Sequence, residues 1–362
     1  MDPISQAALG AVAARAASPQ TLVGPVLLVG AVAGAMPDID VVFSPGGDFF
    51  DMVRSHRGIT HSVFFAFTAG PLLGWLVAKW WLKRSTTEPT LDRGACIRGW
   101  MIAVTAAVLS HPLLDVLTPY GTQLLQPFSD ARFAIHAMPI IDPLYTGLLL
   151  LGIVVAVRSK VRRRIAVVTL SITCLYLALG WQLGVMARDY ARDDLVARGE
   201  TIERIDAFPT LLQPWQRQVV ARTSTQDFIG QMTMWSPCPP NWTSGASYVG
   251  PEVDALLATD EGHTFAWFAM DWVHYSKAST SNGERLLASD LRYSLEGDPA
   301  ISVFAVSADF ENGSGGTRSM GAVTPAGGRT TDPSRITQAL SHVFTPVCRS
   351  PEIVRSPQVV KR

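Results

Sequence analysis

The sequence predicts an α-helical membrane bundle, with an N-terminal helical hairpin and about four transmembrane helices, followed by a small β-rich extracytoplasmic domain. Of the 362 residues, 48% are hydrophobic and only 17% are charged. The apolar residues are concentrated before about residue 187, whereas the remainder has the composition of an ordinary polar domain. We therefore expect a membrane domain over 1–187, a β-rich domain over 188–350 and a loose C-terminal tail over 351–362.

Four apolar runs predict the transmembrane helices, at 63–82, 97–117, 141–157 and 165–186. A helix that crosses a bilayer needs about 20 apolar residues, with a usual range of roughly 17–25. The third run is short, but no charge interrupts it after Asp142.

Two further apolar stretches, 4–16 and 21–36, precede these runs and are separated by a Ser18-Pro19 turn signal. We expect a helical hairpin whose two arms reach the same membrane face. A cleavable signal peptide is not expected, because the first residues contain no basic segment.

The basic residues of the connecting loops orient the helices. Lysines and arginines concentrate at 158–164 and 83–98, and such loops are typically cytoplasmic. This orientation places the loops 37–60 and 118–140, and everything after about residue 187, outside the cytoplasm. The prediction is a multi-pass membrane protein with an extracytoplasmic C-terminal domain.

The overall charge excludes one class of partner. Thirty basic and thirty acidic residues give a formal net charge of zero, so no basic surface indicates nucleic-acid binding. The partner predicted from composition is the lipid bilayer. The substrate and the oligomeric state do not follow from the sequence.

Three short clusters combine carboxylates with imidazoles at the ends of apolar runs: 37–40 (PDID), 56–62 (HRGITHS) and 110–115 (SHPLLD). Ionisable groups are costly near hydrocarbon, so their concentration there indicates a functional site. All three clusters fall on the predicted external face. Carboxylate oxygens and imidazole nitrogens are also ligands of catalytic divalent metals.

The spacing within each cluster leaves a structural alternative open. His111 and Asp115 are four residues apart and share one helix face, which suits metal chelation or a hydrogen-bonded pair at a helix end. Asp38 and Asp40 follow a proline and equally suit a turn. His56 and His61 fit a loop residue followed by a residue in the first turn of a helix.

The site prediction comprises six metal ligands and two candidate catalytic residues. The predicted ligands are Asp38, Asp40, His56, His61, His111 and Asp115, with zinc as the first choice of metal and manganese as the alternative. Arg57 is predicted to bind an anionic substrate, because its planar guanidinium suits phosphate. The alternative is that it is a surface arginine. Asp142 is predicted as a further ligand, an outer partner of a ligand or a helix N-cap.

The segments MDPISQAALGA, PDID, HRGITHS, HPLLDVLTPYGTQLLQPFSD and IIDPLY resemble the YdjM-like membrane-bound metal-dependent hydrolases. The resemblance is close over about residues 1–157. It implies a helical metal-dependent hydrolase of the bacterial inner membrane. The family's distant similarity to zinc phospholipases C and single-strand nucleases implies phosphoester chemistry. One residue departs from the family pattern: Gln6 stands where a histidine is usual, which implies fewer bound ions or a loss of activity.

The predicted function is hydrolysis of a phosphoester or lipid-like envelope substrate by metal-activated water at the external membrane face. A transporter or channel is one alternative, although no internal repeat is visible. The other is a non-catalytic envelope scaffold that binds a structural metal.

The C-terminal half contains short β-like runs at 217–224, 227–235, 263–276 and 301–310. They predict a small antiparallel domain. Cys238 and Cys348 both fall in this predicted external domain, where a disulfide is permitted.

Overall fold

The computed structural model of the protein describes residues 1–22, 24–42, 47–84, 92–235, 238–281, 283–295, 297–312, 318–327 and 354–355. The chain forms two compact units. The first comprises Met1–Trp181 and Leu211–Gln213, and the second comprises Gln182–Thr210 and the residues from Pro214 onward. The domain bounds predicted at residues 187 and 350 stay a prediction, and most of the predicted tail lies outside the described residues.

The first unit is helical, with the following α-helices among its described residues: α1 (Pro3–Ala17), α2 (Val26–Ala35), α3 (Phe49–Ser55), α4 (Val63–Arg84), α5 (Arg93–Val116), α6 (Pro143–Arg158) and α7 (Arg162–Ala197). Helix α7 begins in this unit and continues into the second. Two short 3₁₀ helices, Met36–Val41 and Ile59–His61, connect the α-helices near the predicted site. Several helices begin with a capping aspartate, as α1 does at Asp2 and α5 at Asp92.

Three helices, α4, α5 and α7, are long and apolar enough to cross a membrane. Helix α6, over the third predicted span, is apolar but has only 16 residues, so the count of four spans stays a prediction. Much of the α5 surface is buried, whereas α4 and α7 expose apolar side chains such as Phe67 and Leu175. Such exposure suits helices that face lipid.

Helices α1 and α2 form the predicted hairpin, and glycines allow them to pack closely. A Cβ at Gly34 would lie 2.6 Å from the Cα of Gly10, and one at Gly30 would lie 2.6 Å from the carbonyl oxygen of Gly10. Larger residues at these positions would therefore push the helices apart. The close contact places the backbone of Gln6 beside the C-terminal end of α2, where the PDID cluster begins.

The second unit contains two β-sheets, and its described strands are β1 (Arg204–Pro209), β2 (Gln216–Arg222), β3 (Asp227–Thr233), β4 (Asn241–Gly245), β5 (Val273–Thr280), β6 (Gly283–Asp290), β7 (Ala305–Asn312), β8 (Arg318–Met320), β9 (Thr324–Pro325) and β10 (Val354–Arg355). One sheet has the order β1-β2-β3-β4-β10, and the other has the order β5-β6-β7-β8 with β9 paired to β7. All pairs are antiparallel except β4 with β10. The end of α7 contributes Ala187, Ala191 and Leu195 to the core of the first sheet.

Helices α8 (Pro251–Leu257) and α9 (Asp260–Phe268) interrupt the strands, and α9 corrects a sequence prediction. We predicted a β-like run over 263–276, but the strand begins only at Val273. The Thr259 side chain caps α9 by accepting a hydrogen bond from the backbone of Gly262, and two acidic residues occupy its first turn. These end effects favour a helix despite the aromatic residues that suggested a strand.

The described cysteines differ in oxidation state. Cys238 is disulfide-bonded, whereas Cys96 and Cys174 are free. Cys348, with which the sequence permits a disulfide, lies outside the described residues.

Candidate metal centre

Three adjoining elements of the helical unit place five of the six predicted ligands, and the sixth, His56, directly follows α3. The 3₁₀ helix Met36–Val41, which follows α2 directly, supplies Asp38 and Asp40. The 3₁₀ helix Ile59–His61 supplies His61 just before α4 begins. The last turns of α5 supply His111 and Asp115 from one face, as their spacing predicts.

Four ligand atoms converge on one point. The two histidine Nε2 atoms, of His61 and His111, lie 3.0 Å apart. Asp38 Oδ1 lies 3.4 Å from the first and 3.3 Å from the second. Asp115 Oδ2 lies 3.3 Å and 3.6 Å from the same two nitrogens. Three of the four side chains are fully buried, and that of Asp38 is 21% exposed.

Hydrogen bonds at the far side of each imidazole direct its Nε2 lone pair toward this point. His111 Nδ1 donates to the carbonyl oxygen of Gly34 at 2.6 Å, because a carbonyl can only accept. His61 Nδ1 lies 3.2 Å from Asp40 Oδ2, which is likewise an acceptor. Such bonds fix the tautomer and orientation of imidazoles that ligate metals. Two Nε2 lone pairs facing each other at this distance need a positive charge between them.

The spacing of the four atoms fits one tetrahedral ion. Zinc binds nitrogen and oxygen at about 2.0–2.2 Å, so the edges of its coordination tetrahedron measure roughly 3.3–3.5 Å. The five distances above range from 3.0 to 3.6 Å. Within the described chain, neither Asp38 Oδ1 nor Asp115 Oδ2 accepts a hydrogen bond, although both atoms are buried. Their lone pairs are therefore available to a ligand, and the donor set suits a divalent metal.

The charges around the site favour a cation at its centre. Burial alone would lower the pKa of His61, but the nearby carboxylates of Asp115, Asp38 and Asp40 outweigh it and raise that pKa to about 10. Burial alone would raise the pKa of Asp38 and Asp40, but the neighbouring imidazoles outweigh it and hold both values well below the usual range. The field therefore favours positive charge here, whether a proton or a metal ion supplies it.

A second group of possible ligands adjoins the first. Asp38, Asp40 and His56 each offer an atom within 4.8 Å of the others, and all three are partly exposed. His56 Nδ1 lies 3.1 Å from Asp40 Oδ1. Because Asp38 belongs to both groups, its carboxylate is placed to bridge two ions. The structure thus brings all six predicted ligands together.

Asp115 is surrounded by positive and hydrogen-bond-donating groups. Its Oδ1 accepts from Gln6 Nε2 at 2.9 Å and from the Met1 nitrogen at 3.0 Å. Its Oδ2 lies 3.2 Å from Arg57 Nε. Gln6 therefore contacts the carboxylate of a candidate ligand through its amide nitrogen.

Arg57 is buried, being only 2% exposed, so the surface-arginine alternative is wrong. Its Nη1 donates to Thr118 Oγ1 at 2.9 Å, and the guanidinium stacks on Tyr120 at 4.6 Å from the ring centre. Its backbone adopts a left-handed conformation with φ of 61°, which is unusual for a residue other than glycine. The backbone N–H donates to Asp40 Oδ2 at 3.0 Å, which helps to hold this conformation. The guanidinium is thus placed to balance the charge of Asp115, and its contact with a substrate stays a prediction.

Asp142 lies outside both ligand groups among the described residues. Its Oδ1 caps α6 by accepting from the backbone of Tyr145 at 2.9 Å, and its Oδ2 accepts from the Tyr176 hydroxyl at 2.7 Å. Burial raises the pKa of Asp142. Of the three predicted roles, the structure therefore displays that of the helix N-cap.

Sequence reasoning missed four residues that support the ligands. Gly34 orients His111, Thr60 contacts both Asp40 and His61, and Thr118 and Tyr120 hold Arg57. Three of them lie inside the strings HRGITHS and HPLLDVLTPYG, so a reading of those strings beyond their ionisable residues could have found them. Gly34 acts through its backbone, which leaves no chemical signal in the sequence.

Comparison with known proteins gives a family and two relatives. The family model described as YdjM inner membrane protein matches residues 1–187. Inner membrane protein YbcI of Escherichia coli (strain K12) is 37% identical over 109 residues, which cover 30% of this chain and 56% of that protein. Uncharacterized protein YfhP of Bacillus subtilis (strain 168) is 28% identical over 118 residues, which cover 32% of each. The chain thus spans about half and about a third of these relatives, and no solved structure matches.

Proposed function

This chain belongs to the YdjM inner membrane protein family, and we propose that it is an integral inner-membrane metal-dependent hydrolase. The proposed substrate is a phosphoester or a lipid-like envelope compound, and the proposed location of the site is the external membrane face. The C-terminal β-rich unit would then also be extracytoplasmic.

The observation that supports this proposal most strongly is the convergence of Asp38, His61, His111 and Asp115 on one point, with both imidazoles oriented by acceptors at Nδ1. These four residues would hold the first ion. Asp40 and His56, with Asp38 as the bridge, would hold a second. Zinc is proposed first because histidine nitrogens and carboxylate oxygens in a tetrahedral arrangement suit it, and manganese is the alternative.

A divalent ion bound here would supply Lewis acidity and would lower the pKa of bound water toward about 7. The chain's own residues hold the site in shape. Asp40 and the Gly34 carbonyl orient the two histidines, and Arg57 neutralises part of the charge of Asp115. His56 is 20% exposed, so the second ligand group is open to solvent at its imidazole.

The surroundings of the site favour a substrate with an apolar portion. His61 lies just before the apolar helix α4, and Asp115 lies in the last turn of α5. Apolar side chains in neighbouring loops are exposed, with Val42 76% and Phe128 78% accessible. A site at the end of two apolar helices, next to exposed apolar groups, suits a lipid headgroup.

The non-catalytic scaffold remains a second candidate, because a closed set of four protein ligands is typical of structural zinc. The second ligand group is partly exposed and favours catalysis. Hydrolysis of a chromogenic phosphodiester, a phosphomonoester or phospholipid vesicles by the metal-loaded protein distinguishes the two. Bound metal without turnover of any of these substrates would favour the scaffold.

We expect protein purified in detergent to contain one to two divalent ions per chain, and His61→Ala and His111→Ala to lose the ion of the first ligand group. Each substitution removes one of four ligand atoms and leaves an uncompensated carboxylate. Elemental analysis of folded, monodisperse protein measures the metal content. The matched control is His263→Ala, which removes an exposed histidine of α9 in the other unit. Wild-type protein that is metal-free and also fails to take up added zinc or manganese would contradict the proposed metal site.

We expect Gln6→Ala to lower metal affinity by about 10–100-fold without changing the number of ions bound, which is the usual effect of removing an outer partner of a ligand. The Gln6 amide donates to Asp115 Oδ1, whereas Asp115 Oδ2 faces the two histidines. Competition with a fluorescent zinc chelator measures the affinity. Gln20→Ala, which removes an exposed amide far along the same hairpin, serves as the control. An unchanged affinity in the Gln6 variant would contradict the assigned role.

A further inference from the structure

A groove between α6 and α7 is a second feature of the helical unit, separate from the metal centre. Its volume is about 330 Å³. Apart from Arg164 and Thr169 its lining is apolar, formed by Leu148, Leu151, Gly152, Val155, Ile165, Val168 and Ile172. The helices are in close contact at Gly152, where a Cβ would clash with the Thr169 side chain. Larger side chains around this contact form the walls.

The groove is open on the outer surface of the helices. Leu151 is 61% exposed and Val168 is 56% exposed. Since α7 is a candidate membrane span, these side chains would face the hydrocarbon of the bilayer. An apolar groove on a lipid-facing surface is suited to an acyl chain.

A dense basic cluster adjoins the groove, and Arg164 belongs to both. The connection between α6 and α7 contains five cationic residues within seven positions: Arg158, Lys160, Arg162, Arg163 and Arg164. None of the five forms an ion pair with a carboxylate of the described residues. Gln20 holds this connection in place by donating to the Lys160 carbonyl at 2.9 Å and accepting from the Arg163 backbone at 3.1 Å. The backbone of this basic cluster is therefore held in place, and its charges are available to an anion.

We propose that this groove binds an anionic phospholipid, with one acyl chain along α6 and α7 and the phosphate on Arg164 and its basic neighbours. Basic pockets between membrane helices are suited to anionic headgroups, and each lysine or arginine near an anionic surface adds attraction. A zwitterionic lipid fits the apolar walls equally well but brings its own ammonium group toward the cluster. The headgroup charge should therefore decide the affinity. This inference does not depend on the metal centre.

The test is lipid binding to the full-length protein in a neutral detergent, measured by native mass spectrometry with phosphatidylglycerol and phosphatidylcholine of identical chains. We expect phosphatidylglycerol to bind at least tenfold more tightly. Arg164→Gln should weaken its binding roughly fivefold, the effect of one charge near the headgroup. Val168→Trp should weaken both lipids by filling the groove.

Two controls separate a specific site from general attraction. Arg84→Gln removes an exposed arginine at the end of α4, and Val167→Trp adds the same bulk to α7 at a position that does not line the groove. Both should bind phosphatidylglycerol as the wild type does. Equal binding of the two lipids, or equal effects of Arg164→Gln and Arg84→Gln, would overturn the proposal. Repeating the lipid titration with a metal chelator present shows whether lipid binding is independent of any metal bound at the other site.

Discussion

We expect Asp115→Asn to abolish metal binding and to destabilise the helical unit by about 3–5 kcal/mol, the usual cost of removing one partner of a buried ion pair. Asp115 is fully buried, and its two oxygens face Arg57, Gln6 and the two histidines. An asparagine retains the volume but removes the charge that balances the buried guanidinium. In either orientation its amide N–H groups would also face a donor, Gln6 Nε2 on one side or Arg57 Nε on the other.

The matched control is Asp38→Asn, which removes a carboxylate from the same ligand group at a position that is 21% exposed. It should lose metal, but its stability in the presence of a chelator should change far less, because Arg57 keeps its partner. Thermal unfolding in detergent, with and without chelator, measures both variants. An Asp115→Asn protein as stable as Asp38→Asn would show that the Arg57–Asp115 pair does not stabilise the fold.

We expect Asp290→Asn to destabilise the β-rich unit by about 3–5 kcal/mol, again because a buried arginine loses its counter-charge. Asp290 and Arg292 are both fully buried, and Asp290 Oδ2 accepts from Arg292 Nη2 at 2.6 Å. The same guanidinium donates to the Phe268 carbonyl at 2.8 Å, so the pair also connects the end of α9 to the end of β6. Its loss should loosen this junction.

The second unit provides a control with the same chemistry at its surface. Arg285 and Asp309 form a two-point pair across β6 and β7, at 2.6 Å and 2.8 Å, but both side chains are largely exposed. Asp309→Asn should cost no more than about 1 kcal/mol, since exposed pairs contribute little. Hydrogen exchange of β5–β7 in the full-length protein compares the two variants. Equal loss of protection in both would contradict the importance of burial.

Much of the candidate site could be predicted from the sequence because its residues are unusual for their surroundings. Histidines and aspartates at the ends of apolar runs indicate a site, and the four-residue spacing of His111 and Asp115 places them on one face of a helix. The structure then brings all six predicted ligands into two adjoining groups. The roles of Arg57 and Asp142 could not be predicted in the same way. Whether a guanidinium meets a substrate or a buried carboxylate depends on residues distant in the chain.

The β-rich unit illustrates the limits of local patterns. Aromatic and apolar residues over 263–276 suit a strand or a buried helix, and the capping interaction at Thr259 together with the surrounding packing selects α9. Helix α6 shows a related limit. Apolar residues extend to the N-terminal side of Pro143, but the helix itself begins at Pro143, with Asp142 as its N-cap.

By itself, the sequence determined the helical character of the first half, the β-rich character of the second and the chemical types of the candidate ligands, because these depend on composition and periodicity. Only the tertiary structure decided that Asp38, His61, His111 and Asp115 meet at one point, that the Gly34 carbonyl orients His111 and that Asp115 partners Arg57. These contacts join residues that are far apart in the chain. They form because the close packing of α1, α2 and α5 brings those residues together, and no local pattern records that packing.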